Sequence, residues 1–321
     1  MNLRTIEYFL ITAEERNITR AADRLNISQQ ALSSHIKRLE DEYGVRLFDR
    51  KPSSRLTAAG EQMVFYGRQL LQADSSLKAS LYDVSSNAKA TLRFGISRLR
   101  TAVFFPLIWQ LYRPSHPNIS IEIYDGNTEY LGSLLQAGKI DLYVGVDVAP
   151  NPFQHKSLLA IEVLQCCFSN SLLKTWYPDT WEDILASSHD SIDLAKISRL
   201  PFMSLAPENR LRKAVDQYFS RTLKLDYIIQ CNQQELLYRL ARDGAGAGIL
   251  SPVVVYQHSH DTDFSDPAFH IIPLNTDIPA NYIYLVYPGD RDLPKYFSDF
   301  IDDLSMVFNS YARSVSHNFR K

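Results

Sequence analysis

The sequence has few cysteines and no long apolar run. Its three cysteines, two of them adjacent, are too few for a disulfide framework. No apolar run approaches the roughly 18 residues of a transmembrane helix. The first ten residues, MNLRTIEYFL, contain charged side chains in place of the apolar centre of a signal peptide. We therefore expect a cytoplasmic protein that makes no contact with a membrane.

The motifs of catalysis and metal binding are also missing. The chain has no nucleophile elbow, no metal-binding helix and no phosphate-binding loop. The glycines of 244–248 do not form a dinucleotide fingerprint, because the strand–turn–helix order is wrong. His258 and His260 lie close to Asp261 and Asp263, but a polar loop without a further fixed ligand favours a solvated turn. We predict no enzyme activity, no catalytic residue, no metal and no cofactor.

Overall charge gives little information, whereas local charge does. The 321 residues carry a net charge of −2, with 45% apolar and 22% charged residues, as in ordinary globular proteins. This length favours two or three domains. Residues 16–55 contain nine basic side chains and five acidic ones. Such a local excess is consistent with contact to phosphates.

Residues 17–38, NITRAADRLNISQQALSSHIKR, have the pattern of two short helices joined by a tight turn. Asn17 and Thr19 offer an N-cap for the first helix, and Ser28 offers one for the second. Small residues at Ala21 and Ala22 allow the two helices to cross closely. The pair is typical of a helix-turn-helix, whose second helix enters the DNA major groove.

The second helix has two chemically different faces. Its apolar stripe comprises Leu32, Ile36 and Leu39, and its polar face comprises Gln29, Gln30, Ser33, Ser34 and Lys37. Glutamine pairs with adenine, serine with several base edges, and lysine with guanine or a phosphate. The alternative is a surface helix with ordinary polar side chains. After it, 50–57 reads as a basic turn, and a short hairpin there would place Lys51 and Arg55 near the DNA backbone.

A fixed register of apolar, small and polar residues spans the first 60 positions: Phe9, Ala21, Ala22, Leu25, Ser28, Gln29, Ala31, Ser33, Ile36, Leu39, Glu40, Gly44, Leu47, Phe48, Arg50, Leu56, Thr57 and Gly60. This pattern resembles the winged helix-turn-helix of LysR-type transcriptional regulators. The resemblance implies base contacts from Gln29, Gln30, Ser33 and Lys37, and positions nearer the phosphates for Ser34, Arg50, Lys51 and Arg55. Thr19 and Ser28 complete the expected DNA-binding set. Gln30 stands where the family usually has proline, so base preference cannot be copied from relatives.

Residues 58–87 contain no proline and favour one long helix. Met63, Leu70, Leu77 and Val84 recur every seven residues, which predicts a seam against another helix. The alternative is a single helix that lies on its own domain. About 28 residues at 1.5 Å each would span roughly 40 Å. The family's linker helix pairs two subunits, which implies a homodimer or a homotetramer.

From residue 91 onward, strands and helices alternate. The expected strands of a first set are 91–96, 119–124 and 140–146, and a second set starts near 201–204. Such alternation predicts βαβ units and a mostly parallel sheet. The segments 135–142 and 244–249 resemble turns of the LysR family's effector domain. That resemblance implies two α/β lobes like a periplasmic binding protein, joined by crossing strands near 161–168 and 269–274.

The expected fold class is therefore α/β, with an N-terminal winged helix-turn-helix, a long linker helix and a C-terminal two-lobed effector-binding domain. The expected boundaries are 1–58 for the DNA-binding domain, 59–89 for the linker helix and 90–321 for the effector domain. Within the effector domain, lobe I would comprise about 90–163 and 270–308, and lobe II about 164–269.

Ligands of open α/β sheets bind at the carboxyl ends of the strands, beside helix N-termini. This rule selects Ser97, Arg98, Thr101, Asn127, Thr128, Asp147, Ser204 and Gly246 as effector-binding candidates. The resemblance to the family's pocket is closest at Ser97 and Thr128. Arg98 and Arg100 nearby would suit a small organic anion, although Asp147 would repel one. The alternative is that either arginine lies over the lobe surface.

These observations predict a sequence-specific transcription regulator that binds double-stranded DNA at an imperfect palindrome near a promoter. A small organic effector would control it, and RNA polymerase would be a further partner if it activates. A solute-binding protein is the rival interpretation, but it predicts a signal peptide and no DNA-reading unit. A third is an architectural DNA-binding protein without a ligand. A redox switch through Cys166, Cys167 or Cys231 is a minor alternative, since thiols in apolar strands are usually inert.

Overall fold

The computed structural model describes residues 2–49, 55–83, 90–219, 225–258, 267–275, 278, 280–289 and 293–317. Several residues singled out in the sequence lie outside these ranges: Arg50, Lys51, Val84, His260, Asp261 and Asp263. Their expected roles stay predictions.

Three helices form the N-terminal unit: α1 (Leu3–Glu15), α2 (Ile18–Arg24) and α3 (Gln29–Tyr43). The side chain of Asn17 accepts a hydrogen bond from Arg20 N at 3.1 Å, and Ser28 Oγ accepts one from Ala31 N at 3.2 Å. Both caps were predicted, and each satisfies an N–H group that a helix start leaves free. Thr19 lies inside α2 and is not its cap.

A short wing follows α3. Phe48 and Leu56 form an antiparallel bridge, and Glu40 Oε1 accepts a hydrogen bond from Leu47 N at 2.7 Å. The structure requires Gly60 here, because an added Cβ atom would lie 2.1 Å from Leu47 O. The close approach explains why glycine stands at this position, in the first turn of the next helix and against the wing.

The next helix, α4 (Ala58–Asp83), has three distinct faces. One face packs on α1 through Met63, Val64 and Leu71, with Gly67 lying close against Ile6. A second face exposes the apolar side chains Tyr66, Leu70 and Leu77. A third face, bearing Phe65, Arg68 and Gln69, turns toward the C-terminal domain. Met63 was expected in the intersubunit seam; instead it belongs to the N-terminal core.

The first sheet of the C-terminal domain has the strand order β2-β1-β3-β10-β4. Its elements are β1 (Ala90–Ile96), α5 (Arg98–Tyr112), β2 (Ile119–Asp125), α6 (Thr128–Gln136), β3 (Leu142–Val146), β4 (Gln154–Glu162), β10 (Asn281–Pro288) and α12 (Lys295–His317). β10 runs antiparallel to β3 and β4, while β1 runs parallel to β2 and β3. Burial of long apolar side chains between this sheet, α5 and α12 forms the core of lobe I.

The second sheet has the order β7-β6-β8-β5-β9. Its elements are β5 (Gln165–Ser169), α7 (Asn170–Trp176), α8 (Trp181–Ala186), β6 (Phe202–Leu205), α9 (Arg210–Phe219), β7 (Tyr227–Cys231), α10 (Gln234–Arg242), β8 (Ala247–Leu250), α11 (Pro252–His258) and β9 (Phe269–Pro273). A 3-10 turn covers Leu194–Ile197. The two sheets match in design, since β5 is antiparallel to its neighbours as β10 is in the first sheet.

Two passages of the chain connect the lobes. The first is short, because β4 ends at Glu162 in one sheet and β5 begins at Gln165 in the other. The second differs from the expected boundary at 270: β9 pairs with β5 in lobe II, and the chain returns to lobe I only with β10. The apolar run 269–274 fits either sheet, so only pairing with a partner strand decides its place.

Candidate DNA-reading surface and effector cleft

The polar face of α3 is available for contact with DNA. Gln29, Gln30, Ser34 and Lys37 are exposed, and Ser33 is half-buried. At 100° per residue these positions share one side of the helix. Leu32, Ile36 and Leu39 hold the opposite side in the core. The arrangement has the geometry that a major-groove reading helix requires.

Two contacts add detail to this surface. The Thr19 hydroxyl lies 3.5 Å from Gln29 Oε1, so it can orient the glutamine at the start of α3. The edge of the His35 ring packs against Tyr8, with 5.0 Å between ring centroids, and Arg38 Nη2 lies 2.8 Å from His35 Nδ1. Arg38 is exposed and was not among the predicted residues, although its position on α3 favours a phosphate contact.

Part of the local basic charge is already neutralised. Arg24 Nη1 pairs with Glu14 at 3.1 Å and with Glu15 at 2.9 Å, and Arg20 Nε lies 3.6 Å from Glu15. Lys37 makes no ion pair within the described part of the chain. Lys37 is therefore a stronger candidate than the α2 arginines for contact with DNA.

The effector cleft lies where the carboxyl ends of the two sheets meet. Lobe I contributes Ser97 at the start of α5, Asn127 at the start of α6, and Asp147 after β3. Lobe II contributes Arg210, the first residue of α9 after β6. Helix N-termini at this edge supply free N–H groups, as the sequence rule anticipated.

One ion pair crosses this cleft. Arg210 Nη1 lies 2.7 Å from Asp147 Oδ2, and Arg210 Nη2 donates to Asn281 Oδ1. The other Asp147 oxygen accepts a hydrogen bond from Tyr282 N at 2.9 Å. Asp147 has a left-handed backbone, with φ of 49°, which is uncommon outside glycine. The Asp147 carboxylate, which was expected to repel an anionic ligand, is thus paired with the Arg210 guanidinium of the opposite lobe.

Thr128 is already engaged by the end of β3. Its hydroxyl donates to Val146 O at 3.2 Å and accepts from Val146 N at 2.9 Å. Ser97 Oγ makes no capping bond to α5, and its nearest partner is Arg100 Nη1 at 3.5 Å. Thr101 Oγ1 returns to Ser97 O at 3.1 Å. Of these hydroxyls, that of Ser97 is the least committed and the best placed to bind a ligand.

The two arginines expected beside Ser97 do not act as a pair. The Arg98 side chain is 92% exposed and lies 3.5 Å from Asp125 Oδ2. Arg100 is buried, with Nη2 2.6 Å from Glu162 Oε2, and Tyr311 OH donates to Glu162 Oε1 at 2.9 Å. Burial and the negative charge of Glu162 raise the pKa of Tyr311. Arg100 therefore ties α5, β4 and α12 together and is not free to receive an anion.

Two lobe II candidates are placed differently from expectation. Ser204 was expected just after the end of β6, but it is buried within that strand. Gly246 precedes β8 and lies beside Pro201, at the amino ends of β6 and β8. An added Cβ atom at Gly246 would come within 2.9 Å of Pro201 O, which explains the glycine by packing. Gly246 is therefore wrong as a cleft residue, because it lies at the opposite edge of the sheet.

Arg210 and Asn281 are the cleft residues that the sequence analysis missed. Applying the carboxyl-end rule to the true end of β6, at Leu205, would have led through the turn 206–209 to Arg210. Asn281 had no such signal, because it is the first residue of β10 and reaches the cleft through the antiparallel direction of that strand.

Cys166, Cys167 and His258 lie in packed parts of lobe II, whereas Cys231 is partly exposed. Cys166 and Cys167 are fully buried, and burial raises the pKa of both thiols, which disfavours the reactive thiolate. His258 Nε2 lies 2.8 Å from Glu235 Oε2, and its ring stacks on Tyr238. Within the described residues no group of acidic, histidine and cysteine side chains is arranged to hold a metal. None of the helices described has the length and apolar character of a membrane span.

Comparison with known proteins defines the class first. Residues 3–61 match the model of the bacterial regulatory helix-turn-helix proteins of the lysR family, and residues 85–308 match the LysR substrate binding domain. The curated regulator BsdA of Bacillus subtilis is 25% identical over 312 residues, covering 94% of this chain and 99% of BsdA.

Solved structures agree on the fold. ArgP from Mycobacterium tuberculosis has a TM-score of 0.65 at 17% identity, covering 95% of this chain and 96% of ArgP. Full-length CbnR in complex with its target DNA has a TM-score of 0.52 at 17% identity, covering 96% of this chain and all of CbnR. The chain belongs to the LysR family of DNA-binding transcriptional regulators, with a C-terminal domain for effectors. The predicted fold class and the predicted function as a transcriptional regulator are confirmed.

Proposed function

We propose that the protein reads an imperfect palindrome near a promoter as a homodimer or a homotetramer. The exposed apolar face of α4 supports this assembly, since Tyr66, Leu70 and Leu77 are exposed on one side of the helix. Pairing two α4 helices buries these side chains and places two α3 helices on successive half-sites. RNA polymerase is a further partner if the bound protein activates. Because its DNA lies there, we propose the cytoplasm as the location.

Base recognition is assigned to the exposed face of α3. Gln29 and Gln30 are the proposed adenine readers, with Ser33 and Lys37 one turn and two turns further along. Ser34, Arg50, Lys51 and Arg55 are the proposed phosphate contacts, and Arg38 joins them from its exposed position. Thr19 supports Gln29 from the helix before, and Ser28 caps α3 so that its first turn is rigid.

The cleft is proposed to bind a small organic anion. The observation that carries this proposal is the ion pair between Arg210 and Asp147, which presents a guanidinium to the cleft from lobe II. A carboxylate of the effector would replace Asp147 on Arg210 in a bidentate contact. Ser97, Thr101, Asn127 and Thr128 would complete the lobe I wall, and Arg98 would lie at the rim.

Effector binding would then alter the contact between the lobes. A ligand shifts a conformational equilibrium only as far as it binds one arrangement better than the other. An anion that exchanges for Asp147 has such a preference, because it changes which groups bridge the lobes. We infer that this change alters the spacing of the paired α3 helices within the oligomer.

Thermal unfolding with a panel of small organic acids tests the cleft. Ligands that bind the native state raise the unfolding temperature. We expect at least one carboxylic acid to stabilise the wild-type protein and to lose that effect in Arg210→Gln. Lys213→Gln, on the same helix, is the matched control and should respond as wild type does. Stabilisation that is equal in Arg210→Gln, or that comes only from uncharged compounds, would contradict the proposal.

A further inference from the structure

A cavity separates the linker helix from lobe I, at the opposite end of α6 from the effector cleft. Its volume is about 470 Å³, within the roughly 300 to 1,000 Å³ of small-molecule sites. One wall is α4, through Phe65, Arg68 and Gln69. The other wall is lobe I, through the end of α6 and the loop 150–154. A ligand in this cavity would touch both domains at once.

The cavity stays open when α4 pairs with another helix. At 100° per residue, Tyr66, Leu70 and Leu77 cluster on one side of α4, whereas Phe65 and Arg68 lie on another. The third side packs against α1. The proposed intersubunit contact and the cavity therefore use different faces of the same helix, so pairing through the Tyr66 face leaves the cavity-facing side of α4 uncovered.

The lobe I wall is held in shape by its own backbone. Asn151 Oδ1 accepts a hydrogen bond from Phe153 N at 3.0 Å, and Asn151 O accepts one from Gln154 N at 3.1 Å. Gly289 N donates to Phe153 O at 3.0 Å. Three prolines among the lining residues restrict this wall further. A site formed before its ligand arrives loses little entropy on binding.

The lining combines aromatic rings with a single charge. Phe65 and Phe153 meet edge to face across the domain junction, with 5.2 Å between ring centroids, and Phe153 is 58% exposed. Arg68 lies one turn along α4 from Phe65 and is the only charged side chain among the described residues of the lining. Within the described residues, its guanidinium has no hydrogen bond or ion pair. Gln69 and Gln136 add amide groups.

We propose that this cavity is a second ligand site, for a small aromatic or otherwise flat apolar monocarboxylate. The ring of such a ligand would pack against Phe65 and Phe153, and its carboxylate would accept two hydrogen bonds from Arg68. One uncompensated cation matches one negative charge. Because its two walls belong to different domains, an occupied site fixes the angle between α4 and lobe I.

Calorimetric titration of the full-length protein with phenylacetate tests the chemistry. We expect binding in the millimolar range or tighter, no measurable binding of the uncharged phenylacetamide, and at least about a tenfold loss of affinity in Arg68→Gln. Lys213→Gln, which removes an exposed charge on α9 outside the cavity, is the control and should bind phenylacetate as wild type does. Absence of binding to the wild-type protein, or equal binding by Arg68→Gln, overturns the proposal.

Hydrogen–deuterium exchange with and without phenylacetate tests the location. Slower exchange is expected in peptides that cover 62–72 and 148–156, the two walls of the cavity, and this protection should disappear in Arg68→Gln. Protection confined to the turn between β1 and α5 would place the ligand in the effector cleft instead and overturn the assignment. Calorimetry and hydrogen exchange together distinguish binding in this cavity from binding of phenylacetate in the effector cleft.

Discussion

Arg210 of lobe II and Asp147 of lobe I join the two halves of the effector domain through a 2.7 Å ion pair. Both side chains are partly exposed, so the pair itself adds little stability. Its importance lies in its position, because Asp147 follows the carboxyl end of β3 and Arg210 follows that of β6. Asp147 occupies the place where the carboxylate of an anionic effector would bind Arg210.

Removing the Asp147 charge should strengthen effector binding. In Asp147→Asn the effector no longer competes with a carboxylate for Arg210, so we expect its affinity to rise by several-fold. Arg210→Gln should lower the affinity by about tenfold or more, because a hydrogen bond to a charged group contributes about 1.5–3 kcal/mol. Titration of the best ligand from the thermal panel measures both. If the two variants shift affinity in the same direction, Asp147 is not a competitor.

The apolar face of α4 should control assembly. Leu77 is 58% exposed in the single chain, and Leu77→Glu would place a charge in the proposed seam. We expect sedimentation to show a monomer. Its affinity for operator DNA should be at least tenfold lower, because a dimer that contacts two linked half-sites binds far more tightly than a monomer on one. Leu236→Glu, on an exposed lobe II helix, is the matched control. A Leu77→Glu protein that remains dimeric would move the seam elsewhere.

The buried cluster around Glu162 should dominate the stability of lobe I. Glu162 is 1% exposed, and Glu162→Gln leaves the Arg100 guanidinium buried without its counter-charge. Such a change costs about 3–5 kcal/mol. Replacing both residues, as Arg100→Met with Glu162→Gln, should cost less than Glu162→Gln alone. Chemical unfolding followed by fluorescence measures the free energy of unfolding of each variant. A double variant that is less stable than Glu162→Gln would contradict the prediction.

Alkaline pH should destabilise the fold through buried tyrosines. The pKa of Tyr311 is raised by burial and by Glu162, and that of Tyr227 by burial and by Asp216. A raised folded-state pKa contributes stability that is complete below the unfolded value of about 10. That stability is lost as the pH rises through the folded-state value. The free energy of unfolding should therefore fall above about pH 10, and less steeply in Tyr311→Phe than in the exposed control Tyr130→Phe. Equal slopes would contradict this role for Tyr311.

Local features of the fold were predictable from the sequence. The caps at Asn17 and Ser28 depend on neighbouring residues alone, and the structure has them. The expected strands 91–96, 119–124 and 140–146 correspond to β1, β2 and β3, which span Ala90–Ile96, Ile119–Asp125 and Leu142–Val146. Chemistry within one turn of helix is visible in a sequence because its partners are three or four residues apart.

Contacts between distant segments were not predictable. Arg100 and Glu162 are separated by 62 positions, Glu162 and Tyr311 by 149, and Arg210 and Asp147 by 63. A sequence shows each charge but not its partner, so Arg100 looked free to bind an anion. The seven-residue repeat in α4 likewise could not reveal that Met63 packs on α1.

The reading residues should separate specificity from general affinity. Gln29→Ala removes a proposed base contact, so discrimination between operator variants should fall by about 1–3 kcal/mol. Arg55→Ala removes a proposed phosphate contact, so binding to all sequences should weaken and the salt slope should fall by about 1. Competition binding at several salt concentrations measures both effects. Equal losses from both variants on every sequence would contradict these roles.

The most direct test is a footprint of the purified protein on the DNA upstream of its own gene, with excess unrelated DNA and at a stated salt concentration. We predict two protected half-sites related by two-fold symmetry, with centres separated by one or more turns of about 10 base pairs. The Gln29→Ala protein should lose this protection pattern while it still binds DNA in general. Weak protection that spreads over any sequence and disappears with salt would contradict specific reading by a paired α3.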